Sequence, residues 1–168
     1  MTQRQDGTTE IASASDRGTL PQSKQKHPLH ILCIDDDEHI REFMGACLKR
    51  FNHQVMVTTG GKHGMELFHN AMLENQPYEV VITDLGMPDM DGHDVARTIR
   101  AESPNTPIIM MTGWGAALED DAATASEVDA VVNKPPCMQE LNNLILRITA
   151  LHKIGRSTVA IPASPCMA

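Results

Sequence analysis

The chain has 168 residues, a length that fits one ordinary domain with tails. Hydrophobic residues make up 41% but aromatic residues only 3%, so the core must be built from aliphatic side chains and the 11 methionines. The formal net charge of -8 argues against a nucleic-acid-binding surface, which needs a basic face.

Both ends of the chain differ in composition from its middle. Residues 1–27 are rich in polar and charged residues and cannot bury enough apolar surface to offset the entropy lost on ordering, so we expect a disordered leader. Residues 153–168 hold a glycine, two prolines and many small residues, and we expect a flexible tail. The segment between them, residues 28–152, is the predicted domain. No apolar stretch has the length of a membrane span and the N-terminus lacks a signal peptide, which predicts a cytoplasmic protein.

The first half of the predicted domain starts with a short, unbroken apolar run at residues 31–34. Such a run is typical of a strand in a parallel sheet that is buried on both faces. Apolar residues then recur at helical spacing and predict an amphipathic helix; they are Ile40, Phe43, Met44, Cys47, Leu48 and Phe51. Val55 and Val57 alternate with polar neighbours, which predicts a short strand at the edge of a sheet.

The same alternation continues to the end of the domain. The further predicted elements are a helix over 61–74 interrupted by Gly64, a strand over 78–83, a helix over 93–102, a strand over 108–111, a helix over 115–127, a strand over 129–132, and a last helix marked by Leu141, Leu144, Ile145, Ile148 and Leu151. Five strand–helix units predict an α/β fold with a parallel sheet covered by helices on both faces. Right-handed crossovers give the doubly wound, flavodoxin-like three-layer sandwich with strand order 2-1-3-4-5.

Polar residues follow the predicted strands where each of them ends. Asp35 and Asp36 follow the first strand, Asp84 the third, Thr112 the fourth and Lys134 the fifth. In the order 2-1-3-4-5 the first and third strands are neighbours, so the three carboxylates should converge at the carboxyl edge of the sheet. Crowded carboxylates repel one another unless a cation joins them, and an all-oxygen site with room for water favours Mg²⁺.

These residues suit phosphoryl transfer. Asp84 is the candidate nucleophile because carboxylates can form aspartyl phosphates, while Thr112 and Lys134 would supply a hydroxyl donor and a positive charge to the phosphoryl oxygens. A simpler explanation is that Asp36 and Asp37 only cap the first helix. Capping does not explain Asp84, which ends a separate buried strand.

The motifs that carry these residues resemble the receiver domain of two-component response regulators across residues 28–152. The matching segments are residues 31–38, residues 80–92 ending in Met-Pro-Asp-Met-Asp-Gly, Met111-Thr112-Gly113 and Lys134-Pro135. The resemblance implies that a histidine kinase or histidine phosphotransfer protein donates a phosphoryl group to Asp84. It also implies Mg²⁺ held by Asp36, Asp84 and the backbone carbonyl of Gly86, with Asp35 acting partly through water, and a cis Lys134–Pro135 bond.

The chain departs from the family pattern at four positions. Many receiver domains carry an aromatic residue three positions before the lysine and another after Lys-Pro, where this chain has Val131 and Pro136. Two positions that tune dephosphorylation in the family hold Gly86 and Trp114 here. Neither side chain can readily orient an attacking water, so we predict slow self-dephosphorylation. Beyond its own phosphorylation and dephosphorylation, we expect no enzymatic activity.

Other functions remain open from sequence. A haloacid dehalogenase-like phosphatase would use the Asp-x-Asp pair Asp35 and Asp37, but His39 departs from its motif and Asp84 would have no role. A flavin- or nucleotide-binding protein is less favoured because residues 59–62 (Thr-Gly-Gly-Lys) lack the Walker spacing. A receiver-like interaction module that is not phosphorylated is the third alternative.

The expected output is contact with another protein. About 16 residues follow the last predicted helix, too few for a DNA-binding domain, which predicts a stand-alone regulator or a receiver from a hybrid kinase. By family analogy, the face formed by residues 114–150 would bind the downstream protein, and phosphorylation would shift a two-state equilibrium there. The four cysteines lack CxxC spacing and are predicted to be buried, reduced thiols: Cys33, Cys47, Cys137 and Cys166.

Overall fold

The computed structural model describes residues 27–113 and 126–155. Within these ranges strands and helices alternate in the order β1 (His30–Ile34), α1 (Glu38–Arg50), β2 (Gln54–Thr58), α2 (Gly61–Leu73), β3 (Val80–Asp84), α3 (Gly92–Glu102), β4 (Ile108–Thr112), β5 (Ala130–Asn133) and α4 (Met138–Lys153). None of these helices has the length and apolar character needed to cross a membrane. Of the helix predicted over 115–127 only residues 126 and 127 are described, and both are helical, while residues 1–26 of the predicted leader and most of the predicted tail lie outside the described residues. Helix α4 continues through Lys153, the first residue of the predicted tail.

The strands form one parallel sheet in the order β2-β1-β3-β4-β5, which confirms the predicted topology and the edge position of β2. Every residue of β3 and β4 is buried, because helices cover both faces of the sheet centre. That double coverage explains why these strands read as unbroken apolar runs in the sequence.

Successive residues of each strand point to opposite faces of the sheet, so two separate cores form. On one face Ile31 and Cys33 pack with Met44 of α1 and Ile145 of α4. On the other face Leu32 packs in the cluster that includes residues of α2 and α3. The predicted three-layer sandwich is therefore confirmed for the described residues. Phe43, which the helical pattern placed on the apolar face of α1, is 42% exposed.

The prediction that Gly64 interrupts the second helix is wrong. Helix α2 runs without a break from Gly61 to Leu73. A Cβ atom on Gly64 would lie 2.4 Å from Cδ1 of Ile34, which is fully buried in β1. The glycine therefore allows α2 to approach the sheet closely, and this packing outweighs its low helix propensity.

The described cysteines form no disulfide, but only Cys33 is fully buried. Burial, reinforced by the negative charge of Asp35, raises the pKa of the Cys33 thiol to about 12. Cys33 is therefore an inert packing residue, as predicted. Cys47 and Cys137 are only half-buried, which corrects the prediction for those two, and Cys166 lies outside the described residues.

Gly92, the first residue of α3, packs against the backbone of Asp84. A Cβ on Gly92 would lie 2.4 Å from the Asp84 carbonyl oxygen, and the Gly92 N–H donates to the Leu85 carbonyl at 3.0 Å. Helix α3 can therefore begin this close to the end of β3 only with a glycine at this position.

We expect Gly92→Ala to lower the free energy of unfolding by about 2 kcal/mol in urea titrations, since the backbone atoms that the new methyl group would meet cannot move aside as a flexible side chain can. Gly86→Ala, at an exposed position with open space around the glycine, is the control. Equal effects of the two substitutions would contradict this account of α3 packing.

Candidate functional site

The register of β1 against β3 brings the acidic residues together at the carboxyl edge of the sheet. Ile34 pairs with Thr83, so the residues that follow them, Asp35 and Asp84, lie side by side. One carboxylate oxygen each from Asp35, Asp36 and Asp84 lie within 4.8 Å of one another. The structure therefore places these three predicted site residues in one cluster.

Asp35 is the buried member of the cluster, 1% exposed. Its Oδ1 accepts a hydrogen bond from the Asp37 amide at 2.9 Å, and its own amide donates to the Thr58 carbonyl at 3.1 Å. Burial raises the pKa of the Asp35 carboxyl; the nearby Lys134 opposes this shift, and repulsion from Asp84 adds to it. The ionised form of Asp35 is therefore costly to the fold without a cation close by.

Lys134 supplies the positive charge that faces this cluster. Its Nζ lies 2.7 Å from Asp35 Oδ2 and 2.9 Å from Asp84 Oδ1. Its amide donates to the Thr112 carbonyl at 2.8 Å, and its bond to Pro135 is cis, as the resemblance implied. Burial alone would lower the pKa of Lys134, but the two carboxylates outweigh burial and raise it. Lys134 is thus a bridging ammonium between two carboxylates.

Asp84 and Thr112 end neighbouring strands. Asp84 is buried as the last residue of β3 and pairs in register with Met111 of β4, so Thr112 lies one residue further along the adjacent strand. Thr112 is also buried, and its hydroxyl donates to the Gly113 carbonyl at 3.1 Å. A ligand on Asp84 that offered a better acceptor could redirect that hydroxyl, because a threonine O–H rotates to suit its partner.

The two remaining acids of the β1–α1 connection behave differently. Asp37 caps α1, since its Oδ1 accepts from the amides of His39 at 2.8 Å and Ile40 at 3.4 Å. Those hydrogen bonds lower the pKa of the Asp37 carboxyl. Asp36 is exposed, and its carboxylate accepts no hydrogen bond from any described residue. Capping therefore explains Asp37 but not Asp36, and Asp37 does not join Asp35 as an Asp-x-Asp phosphatase pair would require.

The cluster suits a hard divalent cation. Asp35 Oδ2 is buried and, apart from its ion pair with Lys134, accepts no hydrogen bond among the described residues. The available donors are all oxygens, and Asp36 leaves the cluster open to water, which matches the preferences of Mg²⁺. Gly86, whose carbonyl the resemblance adds to the set, is an exposed residue of the β3–α3 connection, where an added Cβ would have no neighbour within 4 Å among the described residues.

Sequence analysis missed one residue of this site, Arg41. Its Nη1 donates to the carbonyls of Asp35 at 2.9 Å and Asp36 at 2.7 Å. A signal was present, because a basic residue in the first turn of a helix is unfavourable to the helix dipole and needs another reason. Of the positions that depart from the family pattern, Val131 packs on the α2–α3 core and Pro136 is buried, while Trp114 lies outside the described residues.

Comparison with known proteins identifies the fold and the family. The family described as "Response regulator receiver domain" matches residues 31–146. Regulatory protein VanRB of Enterococcus faecalis is 36% identical over 142 residues, which cover 78% of this chain and 60% of that protein. The chain spans only 52–60% of the length of the first curated relatives it matches.

Solved structures agree with this assignment. A receiver domain from Clostridium thermocellum superimposes with a TM-score of 0.68 at 26% identity and covers 75% of this chain and 98% of that one. The response regulator TrrA from Thermotoga maritima, solved in complex with Mg²⁺ and BeF, gives 0.63 at 25% identity, over 71% and 98% of the two chains. With the sheet order and the strand-end cluster, these matches show that the chain belongs to the family of response regulator receiver domains of two-component systems.

Proposed function

We propose that this receiver domain accepts a phosphoryl group on Asp84, with Mg²⁺ held by the carboxylates of Asp35, Asp36 and Asp84 and the carbonyl of Gly86. The observation that carries the proposal is the convergence of the three carboxylates within 4.8 Å, with Lys134 in contact with two of them. The bound Mg²⁺ would neutralise charge on the phosphoryl oxygens. The phosphoryl donor would be a histidine kinase or a histidine phosphotransfer protein.

In the transfer itself the Asp84 side chain is the nucleophile. One Asp84 oxygen forms a bond to phosphorus while the phosphorus–nitrogen bond of the donor histidine breaks. The imidazole, already protonated on its other nitrogen, leaves with the electron pair as a neutral ring. Lys134, now 2.9 Å from Asp84 Oδ1, would then pair with a phosphoryl oxygen, and the Thr112 hydroxyl would donate to another.

A direct test follows Trp114, the single tryptophan of the chain, by fluorescence. Mg²⁺ and then beryllium fluoride or acetyl phosphate are titrated into the wild-type protein. A response to beryllium fluoride that requires Mg²⁺ supports the proposal. If the protein binds neither Mg²⁺ nor beryllium fluoride, the result favours an interaction module that is not phosphorylated.

Replacing Asp36 with asparagine should weaken the binding of Mg²⁺ without destabilising the metal-free protein. At a Mg²⁺ concentration about 100 times Kd, binding should stabilise the wild-type protein by about 2.7 kcal/mol. We expect Asp36→Asn to lose most of this gain but to be slightly more stable than wild type without Mg²⁺, because one of three repelling charges is removed. Thermal unfolding with and without Mg²⁺ measures both effects.

The matched control for that substitution is Asp37→Asn. It removes the same charge one residue further along and keeps a good N-cap for α1. We expect it to retain the stabilisation by Mg²⁺. If both variants respond to Mg²⁺ like wild type, Asp36 is not a ligand.

Slow self-dephosphorylation is the kinetic part of the proposal. A Cβ added at Gly86 would meet no atom within 4 Å among the described residues, so a side chain can start there without a clash. We expect Gly86→Asn to shorten the phospho-Asp84 half-life about tenfold by helping to orient the attacking water, whereas Gly86→Val, which lacks polar atoms, should not. The decay of the phosphorylated mass in intact-protein mass spectra measures this. A wild-type half-life of seconds would contradict the prediction.

For output we propose protein contact in the cytoplasm, not DNA contact, through the face formed by residues 114–150. The acidic net charge of -8 supports a protein partner. Residues 114–125 of that face lie outside the described ranges, while β5 and α4 provide the rest.

A further inference from the structure

The connection between β1 and α1 places three consecutive acids in three different environments. Asp35 points into the protein, Asp36 is exposed within the carboxylate cluster, and Asp37 caps α1. The direction in which each of these side chains leaves the backbone depends on the orientation of the peptide planes between them. The contacts that hold these planes therefore decide where the carboxylates point.

The outer two acids are anchored by their own contacts. Asp35 is fixed by the hydrogen bond that its amide donates to the Thr58 carbonyl and by the hydrogen bond that its Oδ1 accepts from the Asp37 amide. Asp37 is fixed by the amides it caps. The carboxylate of Asp36 has no such contact with a described residue, so what constrains it is the backbone on either side, which fixes the direction of the Asp36 Cα–Cβ bond.

Arg41 holds that backbone. Its Nη1 donates to the Asp35 carbonyl at 2.9 Å and to the Asp36 carbonyl at 2.7 Å. A single nitrogen therefore hydrogen-bonds to both of the peptide units that flank the Asp36 Cα. Arg41 lies in the first turn of α1, and its amide also donates to the Asp37 carbonyl at 3.0 Å. Among the described residues, no other N–H reaches the carbonyl of Asp35 or Asp36.

From these contacts we propose that Arg41 is a positioning residue for the cation site, which it organises by fixing the direction of the Asp36 carboxylate. The inference rests on the proposed function, since it takes Asp36 as a ligand of Mg²⁺. Arg41 touches neither the cation nor the phosphoryl group in this role. It acts through the two carbonyls, as outer partners of metal ligands commonly do.

The sign of the effect separates positioning from simple electrostatics. A guanidinium next to the site repels a divalent cation, so loss of its charge alone would strengthen Mg²⁺ binding. Loss of the two hydrogen bonds to the carbonyls would let the backbone at Asp36 move and would weaken Mg²⁺ binding. We expect Arg41→Met to raise the Kd for Mg²⁺ about tenfold, a loss typical of removing an outer partner of a metal ligand.

The experiment measures Mg²⁺ affinity by calorimetry for wild type, Arg41→Met, Arg41→Lys and Arg50→Met, with metal-free thermal unfolding of each. Arg50→Met removes the same charge from the exposed last turn of α1 and should leave the Kd near the wild-type value. Arg41→Lys keeps the charge, but its Nζ lies one bond short of the position of the arginine Nη1, so it should hold the two carbonyls less well and raise the Kd about threefold. If Arg41→Met does not fold, Arg41→Lys decides the question.

The possible failures can be told apart by including Asp36→Asn. If wild type binds Mg²⁺ and Asp36→Asn does not, but the Kd of the Arg41 variants is unchanged or lower, the role of Arg41 is overturned and the proposed function stands. If wild type itself shows no Mg²⁺ binding, the proposed function and the inference both fall. A raised Kd in the Arg41 variants, with Arg50→Met like wild type, supports the inference.

Discussion

Replacing Asp84 with asparagine should abolish phosphoryl acceptance. The amide is nearly the same size as the carboxylate, so β3 and the contact between Gly92 and the Asp84 carbonyl should remain. An amide oxygen is a much weaker nucleophile than a carboxylate and cannot form an aspartyl phosphate. We expect the mass increase seen with acetyl phosphate and Mg²⁺ to fall by at least about a hundredfold in initial rate, a difference of about 2.7 kcal/mol in barrier. The fluorescence response to beryllium fluoride should vanish with it.

A matched control is Asp91→Asn. Asp91 is also an aspartate of the β3–α3 region, but its carboxylate caps α3 by accepting from the Asp94 amide at 2.8 Å. Asparagine is an equally good N-cap, so this variant loses one charge near the site and keeps the structure. It should be phosphorylated like wild type. Phosphorylation that persists in Asp84→Asn, or that is lost equally in both variants, would reject Asp84 as the acceptor.

Much of the site could be predicted from sequence because it depends on topology. Once strand order 2-1-3-4-5 is inferred, the ends of β1, β3, β4 and β5 must meet at one edge, whatever the details of packing. Asp35, Asp84 and Lys134 are brought together by that rule alone. The residue types at the ends of the strands, together with the strand order, were therefore enough to predict which side chains meet in the site.

Features that depend on close packing were not predictable in the same way. Gly64 disfavours a helix on propensity, yet the neighbouring Ile34 side chain requires a glycine there, and that neighbour is distant in sequence. Phe43 fits the helical period of α1 but lies at the margin of the buried face. In both cases a tertiary neighbour, not the local pattern, decides the outcome.

The different roles of the three consecutive acids could not be derived from their spacing in the sequence. Spacing alone allows each of Asp35, Asp36 and Asp37 to be a cap or a ligand. The structure assigns the cap to Asp37 through two amide contacts and leaves Asp36 exposed. The position of Arg41 in the first turn of α1 is a signal that it has a role, but its partners are carbonyl oxygens, which every residue offers, so the sequence cannot identify what it contacts.

Replacing Lys134 with methionine should destabilise the metal-free protein strongly. The side chains of Asp35 and Asp84 are only 2% and 9% exposed, and Lys134 is the cation that contacts both. Removing one partner of a buried ion pair leaves uncompensated charge, so we expect a loss of about 3 kcal/mol in the free energy of unfolding at about pH 7. Lys153→Met is the control, because the pair Lys153–Glu79 is exposed and should contribute less than about 1 kcal/mol.

The loss should depend on pH with a definite sign. The pKa of Lys134 is raised, so its contribution to stability is complete below the ordinary lysine value and persists through neutral pH. The pKa of Asp35 is also raised, mainly by burial, so the native state holds its proton more tightly than the unfolded chain. The cost of ionising Asp35 is therefore absent at low pH and grows as pH rises through the raised pKa. The gap between wild type and Lys134→Met should shrink towards about pH 4, near the ordinary aspartate pKa.

Mg²⁺ should reverse most of the Lys134→Met defect, because a divalent cation among the carboxylates takes over the neutralisation that the ammonium provides. Without the competing charge of Lys134, the variant should bind Mg²⁺ more tightly than wild type and gain more stability from it. Urea unfolding at several pH values, with and without Mg²⁺, measures both the gap and its recovery. A gap that does not change with pH or Mg²⁺ would mean that Lys134 stabilises the fold by packing its aliphatic stem, and not by neutralising Asp35 and Asp84.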